Sequence, residues 1–343
     1  MSEVFYRKYR PKKFEEVAGQ AHVLQILKNA VKNNNVAHAY LFSGPHGTGK
    51  TTLARILATS VGCKSEDTLE IDAASQRGID EARALREGVR VLPFNSPKKA
   101  YIIDEVHMLT REAFNALLKT LEEPPEHAIF ILCTTEIQKV PDTIISRTQH
   151  FKFNKISASD TAFELKKIAK KENLEIEDGA LRIIAFFADG SLRDAQNILF
   201  QAANLNKKIT EEDLRLLLGV PPQELVNSIT SVLFLKDPKT LLELFDKAFK
   251  NGGNHYMLAR LILRNIRAAY FLHLNSSAKI LGNEFSEENI KFLSAAANSA
   301  GGAKFFDFAI KEILFSLEQK TDDYTAHIPL ELALIKIATQ TSQ

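Results

Sequence analysis

An α/β domain with a parallel sheet, followed by helical segments alone, is the arrangement these 343 residues predict. Three observations carry it. Up to Ile156, short runs that are apolar throughout alternate with helical patterns, and such runs form parallel strands covered on both faces. Beyond Ile156 the periodicity is helical with few strand candidates. The length itself predicts two or three domains at roughly 150 residues each.

The elements follow in order. Val23, Leu24, Ile26, Leu27, Ala30 and Val31 repeat at helical spacing, and Ala39-Tyr40-Leu41-Phe42 is a first strand. Leu53, Ala54, Ile56, Leu57 and Val61 form a second helical face. Ala100 to Ile103 is a strand. Phe114, Leu117, Leu118 and Leu121 mark a helix that Thr110 caps and Pro124-Pro125 ends. Ile129 to Cys133 is a further strand. Residues 1–156 therefore form the α/β domain. Residues 157–219 hold two or three helices ending at Gly219, ahead of Pro221-Pro222. Residues 220–343 form an all-helical domain, in which Phe305, Phe308, Ile310, Ile313, Leu314 and Leu317 make one apolar face.

Composition narrows the class. Apolar residues are 45% and charged residues 25%, which excludes disordered and fibrous chains. Net charge is 44 − 42 = +2, too balanced for coating nucleic acid by bulk charge. The basic residues Arg7, Lys8, Arg10, Lys12 and Lys13 read as a solvated N-terminal arm. Two cysteines, Cys63 and Cys133, exclude a disulfide framework. The start has no apolar signal segment, and the central run Ala128 to Cys133 is far short of the ~20 residues a membrane span needs. A cytoplasmic location without membrane contact is expected.

The strongest local signal is Gly44-Pro45-His46-Gly47-Thr48-Gly49-Lys50-Thr51, with Thr52 next, set between a strand and a helix. Glycines let backbone N–H groups turn inward around phosphate oxygens, and the helix adds its positive end. Lys50 would reach the β- and γ-phosphates, and Thr51 would bind Mg²⁺. The strand Ala100-Tyr101-Ile102-Ile103 ends in Asp104-Glu105, which suits a Mg²⁺ ligand followed by a general base for water. Thr135 ends the next strand, where a hydroxyl can lie near the γ-phosphate. Ser146-Arg147 follows a short helical segment. Ser191 caps a helix with Asp194 three residues on, leaving Arg193 in a first turn that disfavours a cation unless an anion is near. No His/Cys spacing suits zinc.

Together these motifs resemble the AAA+ ATPases and, within them, the clamp loaders. The match is close at Tyr9 to Gln20, His38 to Gly44, Ile71 to Ser75, Asp104 to Leu109, Phe114 to Pro125 and Gly190 to Ala195. The resemblance implies an AAA+ α/β domain, a small helical lid and a helical collar. It implies ATP with Mg²⁺ as cofactors. It makes Thr135 sensor 1, Arg147 a finger acting on a neighbour's ATP, and Arg193 sensor 2 reaching its own γ-phosphate. The Tyr9–Gln20 string would meet the adenine. Partners would be other copies of the chain with delta and delta′ subunits in a five-membered ring, a sliding clamp and primed DNA. Family members usually carry a four-cysteine zinc module after the phosphate-loop helix. Cys63 stands alone there, so no zinc is expected. Thr148 replaces the cysteine that usually follows the finger arginine, and the chain reads as a short form without a long tail. Two alternatives fit the same motifs less well. One is a ring subunit that does not hydrolyse nucleotide. The other is a helicase, since Asp104-Glu105-Val106-His107 mimics a DExH box.

Overall fold

The computed structural model describes residues 3–75, 78, 87–249, 253–274, 285, 287–299, 302–319, 322 and 325–340. The chain divides into two compact units, Met1–Glu211 and Glu212–Gln343.

The first unit is built on five parallel strands: β1 (Ala39–Ser43), β2 (Thr68–Asp72), β3 (Lys99–Asp104), β4 (Ala128–Thr134) and β5 (Gln149–Lys152). Their order is β2-β3-β4-β1-β5. Strands β1 and β4 are buried along their whole length, which is why they read as unbroken apolar runs. Alternate residues of β1 serve opposite faces. Tyr40 and Phe42 pack with Val23 and Leu27 of α2 (Ala21–Lys32) and with Leu53 and Leu57 of α3 (Lys50–Ser60). Leu41 packs on the other side with Tyr101, Phe130 and with Phe114, Leu117 and Leu121 of α4 (Arg111–Glu122). Thr110 caps α4, its side chain accepting from the Ala113 N–H at 3.2 Å. Before these lies α1 (Phe5–Lys8), and after them α5 (Asp142–Ile145).

Register aligns the strand ends that carry chemistry. Ser43 pairs with Thr134, and Asp72 with Asp104. All lie at the carboxyl end of the sheet, where open α/β sheets receive ligands.

The first unit continues with α6 (Ala158–Lys171), α7 (Asp178–Ala188) and α8 (Leu192–Ala203), plus a two-strand pair of β6 (Glu175–Ile176) and β7 (Lys208–Ile209). The short helix α9 (Glu211–Leu217) starts at the end of this unit, lies otherwise in the second, and is the fourth helix ahead of Gly219. The expected two or three helices are thus four. Edge strand β5 was not legible because only Phe151 of its four residues is buried, so it lacks an apolar run.

The second unit holds α10 (Gln223–Leu235), α11 (Pro238–Phe249), α12 (His255–His273), α13 (Glu287–Ser299), α14 (Ala303–Glu318) and α15 (Ile328–Thr339). The buried face of α14 runs through Phe305, Phe306, Ala309, Ile313 and Ser316. Leu314, expected on that face, is 46% exposed, because the stripe anchors on Phe306, stacked on Tyr270 at 5.0 Å. Among the described residues there is no second α/β core, which the helicase alternative requires. No described helix is long and apolar enough to cross a membrane.

Candidate nucleotide-binding site

The segment from Gly44 to Gly49 joins β1 to α3. Gly44, Gly47 and Gly49 take φ of 146°, 68° and 98°, a region side chains disfavour. A Cβ on Gly44 would stand 2.3 Å from the Phe153 carbonyl oxygen, and one on Gly47 1.9 Å from Ser191 Oγ. Only glycine fits either place.

Lys50 opens α3 and is 6% exposed. Its ammonium donates to the Gly44 and Pro45 carbonyls at 2.8 and 2.9 Å. Burial lowers its pKa, opposed by Cys133, Glu105 and Asp104. Thr48 Oγ1 donates to the Pro45 carbonyl at 2.8 Å. Thr51 Oγ1 donates to Asp104 Oδ2 at 2.8 Å, bringing a hydroxyl and a carboxylate together beside the loop. This oxygen pair is the donor chemistry that Mg²⁺ takes.

Glu105 follows in the left-handed region, φ 47°. Thr135 donates to Glu105 Oε2 from Oγ1 at 2.9 Å and from its N–H at 3.3 Å. The sheet thus joins the ends of β3 and β4.

The cleft above is lined by His46 to Thr52, Asp104, Glu105 and Arg193, as expected, and also by Tyr6, Arg10, Pro11, Val17, Ala18, Ile156, Leu192 and Gln196. Gly44 and Pro45 serve through their carbonyls on Lys50. Arg10, Pro11, Val17 and Ala18 come from the Tyr9–Gln20 string expected at the adenine. That string is anchored by Gln20, whose amide donates to the Asn154 carbonyl at 2.7 Å. Arg193 enters from the first turn of α8, its guanidinium 4.9 Å from the Tyr6 ring centroid. Ser191 caps α8 by accepting from the Asp194 N–H at 3.3 Å, and His46 pairs with Asp194 at 2.8 Å.

Arg10 corrects one expectation. It is not a solvated arm residue but half-buried in the cleft, where burial and then Arg55 pull its pKa below the usual value. Lys8 is also engaged, pairing with Glu172 at 2.6 Å. The Lys8 contact has no sequence signal, because Glu172 is 164 residues away, whereas Arg10 lies within the Tyr9–Gln20 string expected at the adenine.

Arg147 does not line the cleft. It sits past α5, pairing with Glu122 at 2.6 Å and donating to the Thr143 carbonyl at 2.8 Å.

Comparison with known proteins places the chain in a family. The family described as DNA polymerase III, delta subunit, matches residues 19–78 and 69–157. The family described as DNA polymerase III clamp loader subunit, ATPase lid domain, matches residues 162–207. The gamma subunit of DNA polymerase III from Buchnera aphidicola of Schizaphis graminum is 39% identical, covering 73% of this chain and 75% of that protein. The chain belongs to the DNA polymerase III gamma/tau subunit family. Within it, the tau subunit of Bacillus subtilis is 43% identical over 73% of this chain. The chain spans about half the length of that relative, 48%. Among solved structures, the Thermotoga maritima RuvB Holliday junction branch migration motor matches with a TM-score of 0.53 at 21% identity, covering 80% of this chain and 88% of that one. The shared fold is that of the AAA+ ATPases, and the helix bearing Arg193 lies in the matched lid.

A four-cysteine zinc module does not fit these residues. Cys63 is buried in the core and its thiol is pushed up to about 11 by burial, while Cys133 is buried on β4. Two cysteines cannot supply the four thiolates such a module needs.

Proposed function

We propose that the chain is the ATP-hydrolysing motor subunit of a clamp loader, which uses ATP binding and hydrolysis to place a sliding clamp on primed DNA during replication. One observation carries this reading: Lys50, the Thr51–Asp104 pair, Glu105 and Arg193 line one cleft, with Thr135 bonded to Glu105 behind it. A degraded, non-hydrolysing subunit has no reason to keep all of them.

When bound, ATP with Mg²⁺ supplies the phosphoanhydride to be cleaved and the cation that neutralises its charge. The glycine loop and Lys50 hold the phosphates, while Thr51 and Asp104 hold the metal. Glu105 accepts a proton from the attacking water at its carboxylate, and Thr135 keeps that carboxylate in place. Tyr6, Pro11, Val17, Ala18, Ile156 and Leu192 form an apolar slot for the base. Arg193 senses the γ-phosphate from the lid, residues 157–219. Arg147, which faces away from its own cleft, acts on nucleotide held by a neighbour. Residues 220–343 serve as the collar of a five-membered ring with further copies, delta and delta′. Zinc takes no part. ATP binding would tighten the ring by favouring one conformation over another.

The test is ATP turnover by the chain alone, and then with delta, delta′, clamp and primed DNA. Turnover should be slow alone and rise strongly only in the full mixture. Arg147→Ala should keep nucleotide affinity yet lower the assembled rate by about 10³-fold, the low end for an arginine supplied in trans. Absence of turnover in a fully assembled mixture would sink the motor reading and favour a structural subunit.

A further inference from the structure

The His107 side chain is 6% exposed and no step above uses it. Its Nδ1 stands 3.0 Å from Thr134 Oγ1 and 3.3 Å from Glu105 Oε2. Its Nε2 stands 3.3 Å from Glu136 Oε1, and Glu136 is held in turn by Lys139 at 2.9 Å. Thr135 donates twice to the same Glu105 Oε2. Contacts from two elements therefore gather on one oxygen of this carboxylate. A carboxylate held by one oxygen presents the other along a fixed direction.

The backbone shows why such a grip is needed. Glu105 is a non-glycine residue at φ 47° and ψ 45°. That conformation is unfavourable and persists only where the surroundings over-determine it. The imidazole sits in a short turn, Val106–Met108, directly after Glu105. With Glu136 on its far side, the ring is hydrogen-bonded at Nδ1 to Thr134 Oγ1, and the same nitrogen faces the Glu105 carboxylate.

We propose that His107 is a positioning residue for the reaction: its ring, hydrogen-bonded at Nδ1 to Thr134 Oγ1 and carrying a proton on each nitrogen, stands as a cation between the carboxylates of Glu105 and Glu136 and so fixes where the Glu105 carboxylate sits. The inference rests on the reading of Glu105 as the base. It differs from a packing role in that it depends on which ring nitrogen is present.

Two amide substitutions separate the nitrogens. In His107→Asn the amide lies near the place of Nδ1, and in His107→Gln it reaches toward the place of Nε2. The full chain, assembled with its ring partners, should be assayed for turnover across ATP concentrations and for binding of a fluorescent ATP analogue. His107→Ala and His107→Gln should lower kcat by about ten-fold or more, the scale seen when a partner that orients a reacting group is removed. KM and analogue affinity should stay within about two-fold, and His107→Asn should recover most of kcat. Equal activity of the Asn and Gln variants, an unchanged kcat in all three, or a rise in KM in place of the kcat loss would each overturn the inference. Glu105→Gln separates this from failure of the underlying reading. If it turns over normally, the base assignment falls and this inference with it. If it is inactive while His107→Ala is normal, this inference alone falls.

Discussion

Lys50 and Gly47 show how much of the site depends on single atoms. Lys50 is a buried ammonium whose hydrogen bonds go to two loop carbonyls, so its charge is desolvated but not unsatisfied. Gly47 is the point where the phosphate loop meets α8: its carbonyl accepts from the Leu192 N–H at 3.1 Å. A methyl group there would overlap Ser191 Oγ at 1.9 Å and sit at φ 68°. Gly47→Ala should therefore push α8 and its Arg193 off the loop. We expect a stability loss on the order of 1–3 kcal/mol, the cost of a strained backbone. Affinity for a fluorescent ATP analogue should drop at least about ten-fold, equal to 1.4 kcal/mol. Thermal melting and a binding titration check both, and unchanged binding would remove Gly47 from the contact between loop and lid. The glycine spacing was legible because it encodes a local turn. The reason for Gly47 in particular was not, because Ser191 lies far along the chain.

Helices and strands were legible in proportion to how completely they are buried. β1, β3 and β4 are central, and their apolar runs announced them. β5 was missed because an edge strand with one buried side chain has no periodic signature. The α14 face was misplaced by including Leu314, since many of its residues are apolar and periodicity alone does not say which stripe packs inward. Capping chemistry, by contrast, was readable. Thr110 was expected to cap α4 and Ser191 to cap α8, and both accept the N–H three residues on. Thr110→Ala should cost about 1 kcal/mol, the usual value of such a cap. A urea melt should show that loss while nucleotide affinity stays unchanged. A loss of affinity would mean that α4 is coupled to the cleft more tightly than its cap implies.

The folded chain as a whole also responds to alkali. Burial pushes the Cys63 thiol to about 11 and the Tyr101 hydroxyl to about 12, from ordinary values of 9.0 and 10.0. Both are neutral when protonated, so the folded state holds these protons more tightly than the unfolded chain. The stability they contribute is complete below about pH 9 and is lost as pH rises towards 11 and 12. Urea midpoints should fall above about pH 9. The fall should be shallower in Cys63→Ala, and an identical slope would show that Cys63 does not govern it.

Composition, apolar periodicity and the Gly44–Thr51 spacing were enough to establish a parallel sheet, a phosphate cradle and the acidic strand end at Asp104-Glu105. Each of these is written within one strand, one turn or one helix, where neighbours in sequence are neighbours in space. The partnerships that complete the site were not written there. Glu105 meets Thr135 across 30 residues, and Arg10 reaches a cleft shared with Arg193. His107 joins Glu105 to Glu136, and Arg147 turns away toward Glu122. These depend on strand register and on how helices dock, which arise from burial shared across the unit and leave no trace at any single position.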